Sequence, residues 1–569
     1  MFAFLCRPLE TERHRGGWRQ RIAARVATAN PGPPRMGLRH LRNWGDGLAS
    51  AKEVIANMAD AVQDGEVKHP MIHRLAKIQG VPAQGLADLM TACGIALPIE
   101  KIPGGTLVTD FARPSSLLKL HRDNYPATLE EALGCDGQEL LAGFWQELLR
   151  RAPEVRNLAW CRGTTYDDWK RMVPLTMHED AGPYTKRLSA NIVSFGGLLG
   201  RGGEKMCQYP IISYIKERRP TDEGLESMWN PILLDFEDLA HRGVGPWRFV
   251  LLYVKSDLEV RSVVWGLPSF NSTEPCTECR ADCSGRPFTD LRTNASWRDT
   301  VLDSSAAFLE RARRPLHPLL SSSLFWRGFM PLDLMHLLEC NGAANIVAGS
   351  ILQPLTQRRE LGASQAQRLA HINSLMLEWQ QGHRGMIRMP PFRLANLESN
   401  EWACLSGPTI KAANTRSLAP FLVLLAEKFY DPNTEEGRNV QRIARCLQRM
   451  YQILYSSGLF LTDAELNEFR RVLSRFGASF QTLRALAEAD NRMLWHIIPK
   501  VHISQHLSTQ AAVMNPRFCQ NYTEESQIGT ATRIWKRSAS GKYRSGIQRL
   551  VLLKRLIGFV VRFDGVLDS

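Results

Sequence analysis

VPLTMHED, residues 173–180, is the stretch that decides the fold, because a short apolar run ends there in Glu179 and Asp180. A second apolar run, FVLLYVKSD at 249–257, ends in the same way at Asp257. Short apolar runs that are rich in β-branched and aromatic residues are typical of buried strands. We therefore predict two buried strands, each of which ends at an aspartate.

Two further strands and a helix are predicted between these runs. Leu188–Phe195 alternates in part between apolar and polar residues, and Tyr209–Ile215 is rich in strand-forming residues. Thr221 and Asp222 predict the N-terminal cap of a helix that continues to about Leu239. The predicted order is strand, strand, strand, helix, strand, which indicates an α/β fold.

Helical periodicity dominates both flanks of this segment, over 48–160 and again over 334–500. In the second flank, Thr462 and Glu465 form a predicted capping box at a helix start. The chain is thereby predicted to divide into a disordered basic arm at 1–45, a helical N-terminal region at 46–165, an α/β core at 166–300 and 496–532, an all-α segment at 301–495, and a basic C-terminal helix or tail at 533–569.

The overall composition is that of a folded protein. The 569 residues are 44% hydrophobic and 22% charged, which excludes wholesale disorder and a coiled-coil rod. We expect no membrane span, because no uninterrupted apolar run reaches about 18 residues. The 12 cysteines are mostly scattered singly, which favours reduced thiols in the cytosol or nucleus, and Glu10 and Glu12 count against a targeting leader.

The positive charge is concentrated at the two ends. Of the net charge of +14, residues 1–45 supply +7 and residues 533–569 supply another +7, so the intervening chain is close to neutral. Basic segments bind polyanions because each lysine or arginine that meets a phosphate releases condensed counterions. A solvated tail and a solvated helix face are the alternative explanation.

Asp180 and Asp257 are candidate metal ligands, since adjacent strands of one sheet would bring the two carboxylates together at its rim. Paired acids raise each other's pKa unless a cation lies between them, which suits Mg²⁺ or Mn²⁺. The alternative is that both are ordinary acids at strand ends.

Cys276 and Cys279 form a CxxC pair, and His502 and His506 form an HxxxH pair one helical turn apart. Together they could complete a four-coordinate structural zinc site, which Cys283 could also join. The two histidines could equally be ordinary surface or core residues. A shared site would connect segments more than two hundred residues apart.

Four further residues are candidates with clear structural alternatives. Asp333 and His336 form a DxxH pair at a predicted helix start, where they could be a cap and a buried histidine. Glu524 and Glu525 also lie at a predicted helix start, where they could be an exposed acidic pair. The glycines of 196–203 lack the GK[ST] ending of a phosphate loop, so we expect no nucleotide cofactor.

Over about residues 170–530 the chain resembles the catalytic domain of CACTA-type (En/Spm-like) transposases and, more distantly, the V(D)J recombinase catalytic subunit. The resemblance implies a ribonuclease H-like core interrupted by a large all-α insertion. It places the first catalytic acid at Asp180 in PLTMHEDAGP, the second at Asp257 in LLYVKSDLEV, and the third at Glu525 in NYTEESQIG.

The remaining motifs resemble the same family in order and spacing. Cys276 lies 19 residues after Asp257, and Glu525 lies 19 residues after His506. The resemblance implies one zinc ion held by the CxxC and HxxxH pairs. It also implies that the DxxH pair in PLDLMHLLECNG, Asp333 and His336, supports the catalytic acids.

The function implied by the resemblance is cleavage and joining of DNA strands with two Mg²⁺ or Mn²⁺ ions about 4 Å apart. It further implies a nuclear protein that binds double-stranded DNA as a homo-oligomer, with Lys536, Arg537, Lys542, Arg544 and the arginine arm along the backbone. Because HEDAG departs from the glycine-flanked aspartate of the family, a decayed or domesticated copy, a zinc-containing DNA-binding protein without catalysis, is the alternative. A ribonuclease H-like nuclease without transposition is a third.

Overall fold

The computed structural model describes residues 53–56, 98–102, 110–201, 208–215, 222–383, 387–399, 401–539, 548, 551–552 and 554–556. The predicted basic arm at 1–45, most of the segment 46–97, and Lys542 and Arg544 lie outside these residues. Lys536 and Arg537 are exposed near the end of the last long helix.

The described chain is a mixed α/β protein. Its strands, in chain order, are β1 (Ile99–Lys101), β2 (Asp110–Ala112), β3 (Met172–Pro183), β4 (Ser189–Gly197), β5 (Tyr209–Ile215), β6 (Arg248–Lys255), β7 (Glu398–Ser399) and β8 (Trp402–Ala403). Its helices are α1 (Pro114–Asn124), α2 (Pro126–Leu133), α3 (Gln138–Arg151), α4 (Tyr166–Trp169), α5 (Asp222–His241), α6 (Leu258–Val263), α7 (Ser305–Leu309), α8 (Pro318–Ser321), α9 (Leu334–Leu338), α10 (Ala343–Leu355), α11 (Gln365–Gly382), α12 (Ala412–Phe429), α13 (Glu435–Ser456), α14 (Asp463–Ala489), α15 (Pro499–Ser504), α16 (Leu507–Val513) and α17 (Tyr522–Ala539).

A four-stranded mixed sheet forms the centre of the α/β part, with strand order β5-β4-β3-β6. The first three strands pair antiparallel, and β6 lies parallel to β3 after the chain has passed through α5. This is the strand, strand, strand, helix, strand order that the sequence predicts. Phe195 of β4 stacks on Tyr209 of β5 and meets Phe236 of α5 edge-on, so that α5 covers one face of the sheet.

The first strand is longer than its apolar run indicates. β3 continues through Glu179 and Asp180 to Pro183, and Asp180 lies inside the strand rather than at its end. The cause is the antiparallel neighbour, which pairs with β3 as far as Pro183 and Ser189 and so keeps the polar segment extended. Asp257, in contrast, follows directly after the end of β6, as predicted.

The predicted helical region at 46–165 also contains a two-stranded sheet, β1 and β2, beside the helices α1 to α3. The sequence pattern does not reveal these strands, because each spans only three residues. In the described part of the segment 301–495, the regular structure is helical except for the two-residue strands β7 and β8.

The helices of this segment bury the apolar stripes that the sequence predicts. Ile443, Leu447 and Leu454 of α13 lie in one apolar cluster with Phe469 and Phe476 of α14. At the start of α14, Thr462 and Glu465 form the predicted capping box. Cys276 and Cys279 belong to the same apolar cluster, which places the CxxC pair against the helical segment.

Within the described ranges, no helix has both the length and the apolar character that a membrane crossing requires.

Candidate metal centres

Cys276, Cys279, His502 and His506 converge on one buried point. One ligand atom from each lies within 4.8 Å of the others. Cys276 Sγ is 3.5 Å from His506 Nε2, and Cys279 Sγ is 3.3 Å from His502 Nε2. All four residues are at most 3% exposed. The structure thus brings together the two pairs that the sequence predicts to form a single site.

These distances fit a four-coordinate zinc ion. With Zn–S near 2.3 Å and Zn–N near 2.0–2.1 Å, tetrahedral angles put a bound sulfur and nitrogen about 3.6 Å apart. The backbone N–H groups of Glu278 and Ala281 donate to Cys276 Sγ at 3.3 Å and to Cys279 Sγ at 3.4 Å, which stabilises negative charge on sulfur. The two thiols and two imidazoles are therefore a suitable donor set for zinc.

The two halves of the site are fixed by different means. Arg311 donates to the backbone carbonyls of both cysteines, at 3.1 Å to Cys276 and 3.0 Å to Cys279, and thereby holds the CxxC loop closed. The ring of Trp297 packs at 4.4 Å from the His502 ring and 5.2 Å from the His506 ring, between centroids. The loop and the histidine turn are therefore both held by contacts outside the four ligand atoms.

A buried acid inside the CxxC loop connects this site to the α/β core. Glu278 accepts from Arg327 at 2.6 Å and lies 3.8 Å from Arg261, which also donates to the backbone carbonyl of Met330. Burial alone would raise the pKa of Glu278, but Arg327 and Arg261 lower it to about 2. The negative charge of Glu278 thus joins the CxxC loop to α6, which bears Arg261, and to the chain that leads to the DxxH pair.

A second cluster combines Asp180, His336 and Glu525, whose ligand atoms also lie within 4.8 Å of one another. His336 Nε2 is 3.5 Å from Glu525 Oε1. The Glu525 side chain is 37% exposed, whereas Asp180 is only 6% exposed. This cluster therefore opens to solvent on one side, unlike the enclosed Cys/His site.

Asp257 lies next to this cluster but outside the group whose ligand atoms are that close. His178 of β3 pairs with Lys255 of the parallel strand β6. Asp180 and Asp257 each lie two residues beyond this pair. Asp257 Oδ1 accepts from the backbone N–H of Val260 at 2.7 Å and caps α6. One oxygen of Asp257 therefore caps a helix, as an ordinary acid at a strand end can do. The other oxygen takes no part in this cap.

The acids interact strongly in electrostatic terms. Burial, followed by the charges of Asp257 and Glu525, raises the pKa of Asp180 well above its usual range. Burial also raises the pKa of Glu525, although His336 opposes it. Carboxylates that repel each other in a half-buried site are the donor set that a hard divalent cation stabilises.

A glycine allows the late helix to reach the central strand. A Cβ atom at Gly182 would lie 2.2 Å from Thr532 Cγ2 and 2.9 Å from Ile528 Cγ2, so α17 could not pack as closely against β3 with a larger residue there. Because α17 carries Glu525, this close approach brings the third acid to Asp180.

Asp333 and His336 act together at the edge of the cluster. Asp333 caps α9 by accepting from the backbone N–H of Met335 at 3.0 Å, and it accepts from Asn521 N–H at 3.3 Å. Its second oxygen lies 2.5 Å from His336 Nδ1, which leaves Nε2 directed at Glu525. Burial alone would lower the pKa of His336, but Asp333, Glu525 and Asp257 raise it. Asp333 is thus both a helix cap and the residue that orients the histidine.

Glu524 is not part of an exposed acidic pair. It is 2% exposed and forms an ion pair with Lys255, which is 5% exposed at the end of β6. Lys255 also donates to the backbone carbonyl of Gln520 at 3.4 Å. Sequence reasoning does not predict this pair, because nothing in a local pattern indicates which of two consecutive glutamates is buried. The pair fixes the start of α17 against the sheet.

Comparison of the chain with models of known protein families and with curated protein sequences gave no match.

Proposed function

We propose that this protein cleaves and joins DNA strands through a divalent metal centre formed by Asp180, Asp257 and Glu525, in the manner of a transposase with a ribonuclease H-like core. The single observation that carries the proposal is the convergence of Asp180 and Glu525, which are 345 positions apart in the sequence, in one half-buried cluster. Acids that served only solubility would lie apart on the surface, because bringing carboxylates together costs free energy through their mutual repulsion.

The strand order and direction of the central sheet support a ribonuclease H-like core. Three antiparallel strands, a helix and a fourth strand parallel to the first put Asp180 on the central strand and Asp257 after its parallel neighbour. Glu525 lies on α17, which packs on the same face of the sheet as Asp180. In this reading, the helical segment at 301–495 is an insertion between the second and third acids.

Two Mg²⁺ or Mn²⁺ ions held by the three acids would supply activation of water or a 3′-hydroxyl group and stabilisation of the leaving oxygen. The chain's own residues prepare the site for this chemistry. Burial keeps Asp180 in a fixed position, Asp333 sets the tautomer and direction of the His336 ring, and the exposed edge at Glu525 admits a phosphodiester.

The zinc site has a structural role in this proposal. Its four protein ligands fill a tetrahedral shell, which leaves no position for a reacting water. Because the histidines lie 19 and 23 residues before Glu525, the site fixes the segment that leads to α17. The proposed partner is double-stranded DNA, bound by a homo-oligomer in the nucleus.

The test is cleavage of labelled duplex DNA with Mg²⁺ or Mn²⁺. We expect metal-dependent nicking or joining, and we expect Asp180→Asn and Glu525→Gln to reduce it to background. Glu259→Gln is the matched control, because Glu259 is an exposed acid two residues after Asp257. Cleavage that survives both substitutions would refute the proposal. A wild-type chain that binds DNA but does not cleave it with either ion would favour the non-catalytic DNA-binding alternative.

A further inference from the structure

The helices α13 and α14 enclose a groove of about 790 Å³ whose walls carry six arginines. All six side chains are exposed. Four come from α13 and two from α14: Arg438, Arg442, Arg445, Arg449, Arg471 and Arg475. In the sequence, the excess positive charge lies at the two ends of the chain, so this concentration of arginines is visible only in the fold.

The groove is strongly positive even after its ion pairs are counted. Arg445 pairs with Glu427 at 2.8 Å, and Arg449 pairs with Glu468 at 2.8 Å, which also lies 3.8 Å from Arg471. Six guanidinium groups therefore meet two carboxylates. Exposed pairs of this kind contribute little to stability, so stabilisation of the helices does not explain the surplus.

The surplus arginines are available for an anionic partner. Arg438 donates to the backbone carbonyl of Asn433 at 2.7 Å, and Arg442 donates to Asn439 Oδ1 at 3.2 Å, both neutral acceptors. Neither bond neutralises the charge of its arginine. The planar guanidinium group matches a phosphate with two parallel hydrogen bonds.

The spacing of the α13 arginines suits a duplex backbone. Positions 438, 442, 445 and 449 recur every three or four residues, which places them on one face over about 16 Å of helix. Each strand of duplex DNA carries about five phosphates over that length. The apolar residues of the groove lining are all small and none is aromatic, whereas a protein partner would need a large apolar anchor at the centre of the surface; they are Pro432, Cys446, Val472 and Ala478.

The same helix ends beside the segment that bears the third acid. Tyr455 in the last turn of α13 donates from its hydroxyl to Gln520 Oε1 at 2.7 Å, and Arg517 donates to the Tyr455 carbonyl at 2.7 Å. Gln520 precedes Glu525 by five residues. Arg449 lies about 9 Å along the helix from Tyr455, so a backbone in the groove would run toward the acidic cluster.

We propose that the α13–α14 groove binds the phosphate backbone of double-stranded DNA. The choice of DNA as the polyanion rests on the proposed function, whereas the charge and shape of the groove do not depend on it. The groove adds a phosphate-binding surface on the folded body to the basic ends of the chain.

The test uses the full chain, a labelled 30-base-pair duplex and fluorescence anisotropy in EDTA-free buffer without added Mg²⁺ or Mn²⁺, over a range of salt concentrations. The variant is Arg442→Ala/Arg475→Ala. Each lost phosphate contact lowers the salt slope by about 0.9 and weakens binding up to about eightfold at 0.1 M salt. We therefore expect a slope smaller by about 2 and a Kd raised up to about 60-fold.

The matched control is Arg359→Ala/Arg470→Ala, which removes two exposed arginines that do not line the groove. We expect this control to bind DNA like the wild type. Equal Kd values and salt slopes for the two double variants would overturn the inference. Binding of an acidic polypeptide, but not of duplex DNA, by the wild type would also overturn it, and equal melting temperatures of the variants exclude misfolding as the cause of weaker binding.

The outcome is separable from that of the proposed function. If the wild type cleaves DNA and the groove variant binds like the control, the inference fails and the proposed function stands. If the groove variant loses affinity while no cleavage is found, the inference stands and the catalytic proposal fails.

Discussion

Adjacent glutamates at the start of α17 are expected to have opposite roles in stability. Glu524 is 2% exposed and forms an ion pair with Lys255, which is 5% exposed. Glu524→Gln leaves the lysine charge buried without its counter-charge. Removal of one partner of a buried ion pair costs about 3–5 kcal/mol. Glu525→Gln instead removes one of the charges that converge on Asp180.

The expected magnitudes follow from these surroundings. For a cooperative unit of 150–250 residues, 1 kcal/mol corresponds to roughly 2–4 °C, so Glu524→Gln should lower the melting temperature by about 6–20 °C. Without divalent ions, Glu525→Gln removes a charge that raises the pKa of Asp180, but it also loses the attraction to His336. We therefore expect its free energy of unfolding to stay within about 1 kcal/mol of the wild type.

Thermal and urea unfolding, followed by circular dichroism without Mg²⁺ or Mn²⁺, measures both variants. Lys255→Met/Glu524→Gln is the informative companion, because replacing both charges removes the unpaired lysine and should recover most of the lost stability. The reasoning is wrong if Glu524→Gln and Glu525→Gln destabilise the protein equally, or if the double variant is no more stable than Glu524→Gln alone.

Two further predictions concern the zinc site and the response to acid. Cys279→Ser should abolish stoichiometric zinc, measured by elemental analysis, and lower the melting temperature, while Cys283→Ser, an exposed neighbour, should do neither; equal zinc content in the two variants would contradict the site. Burial lowers the pKa of His121 to about 3, so the folded chain keeps this imidazole neutral while the unfolded chain takes up a proton below about pH 6.5. Stability that is present above about pH 6.5 should therefore be lost at about 1.4 kcal/mol per pH unit on acidification, and His121→Gln should remove this component of the pH dependence in urea unfolding; identical pH profiles would count against it.

The order of strands and helices could be predicted because apolar periodicity is a local property. The run at 173–180 and the run at 249–257 each form a strand of the central sheet, and Thr462 with Glu465 starts a helix. The length of β3 could not be predicted, since its polar half is extended only because β4 pairs with it. Strands of two or three residues, such as β1 and β7, carry too few side chains to show a period.

The ligands of the candidate site could be predicted from the sequence, but the residues that hold those ligands in place could not. Residue type and spacing indicate Cys276, Cys279 and the two histidines, because thiolate sulfur and imidazole nitrogen are the usual ligands of structural zinc. Nothing local distinguishes Glu524 from Glu525, and only the ion pair with Lys255 at the end of β6 buries the first, while the second lies at the open edge. The groove arginines are likewise spread over two helices. The packing of these helices concentrates positive charge in a part of the chain whose net charge is close to zero.

The sequence by itself determined the order of the longer strands and helices, and which side chains can bind a cation, since both follow from residue chemistry at short spacing. Only the tertiary structure decided which of these groups meet. Burial, ion pairing and charge concentration depend on distances in space between residues that are hundreds of positions apart. Those distances are set by the packing of α17 on β3 and β4, of α13 on α14, and of the CxxC loop on the histidine turn.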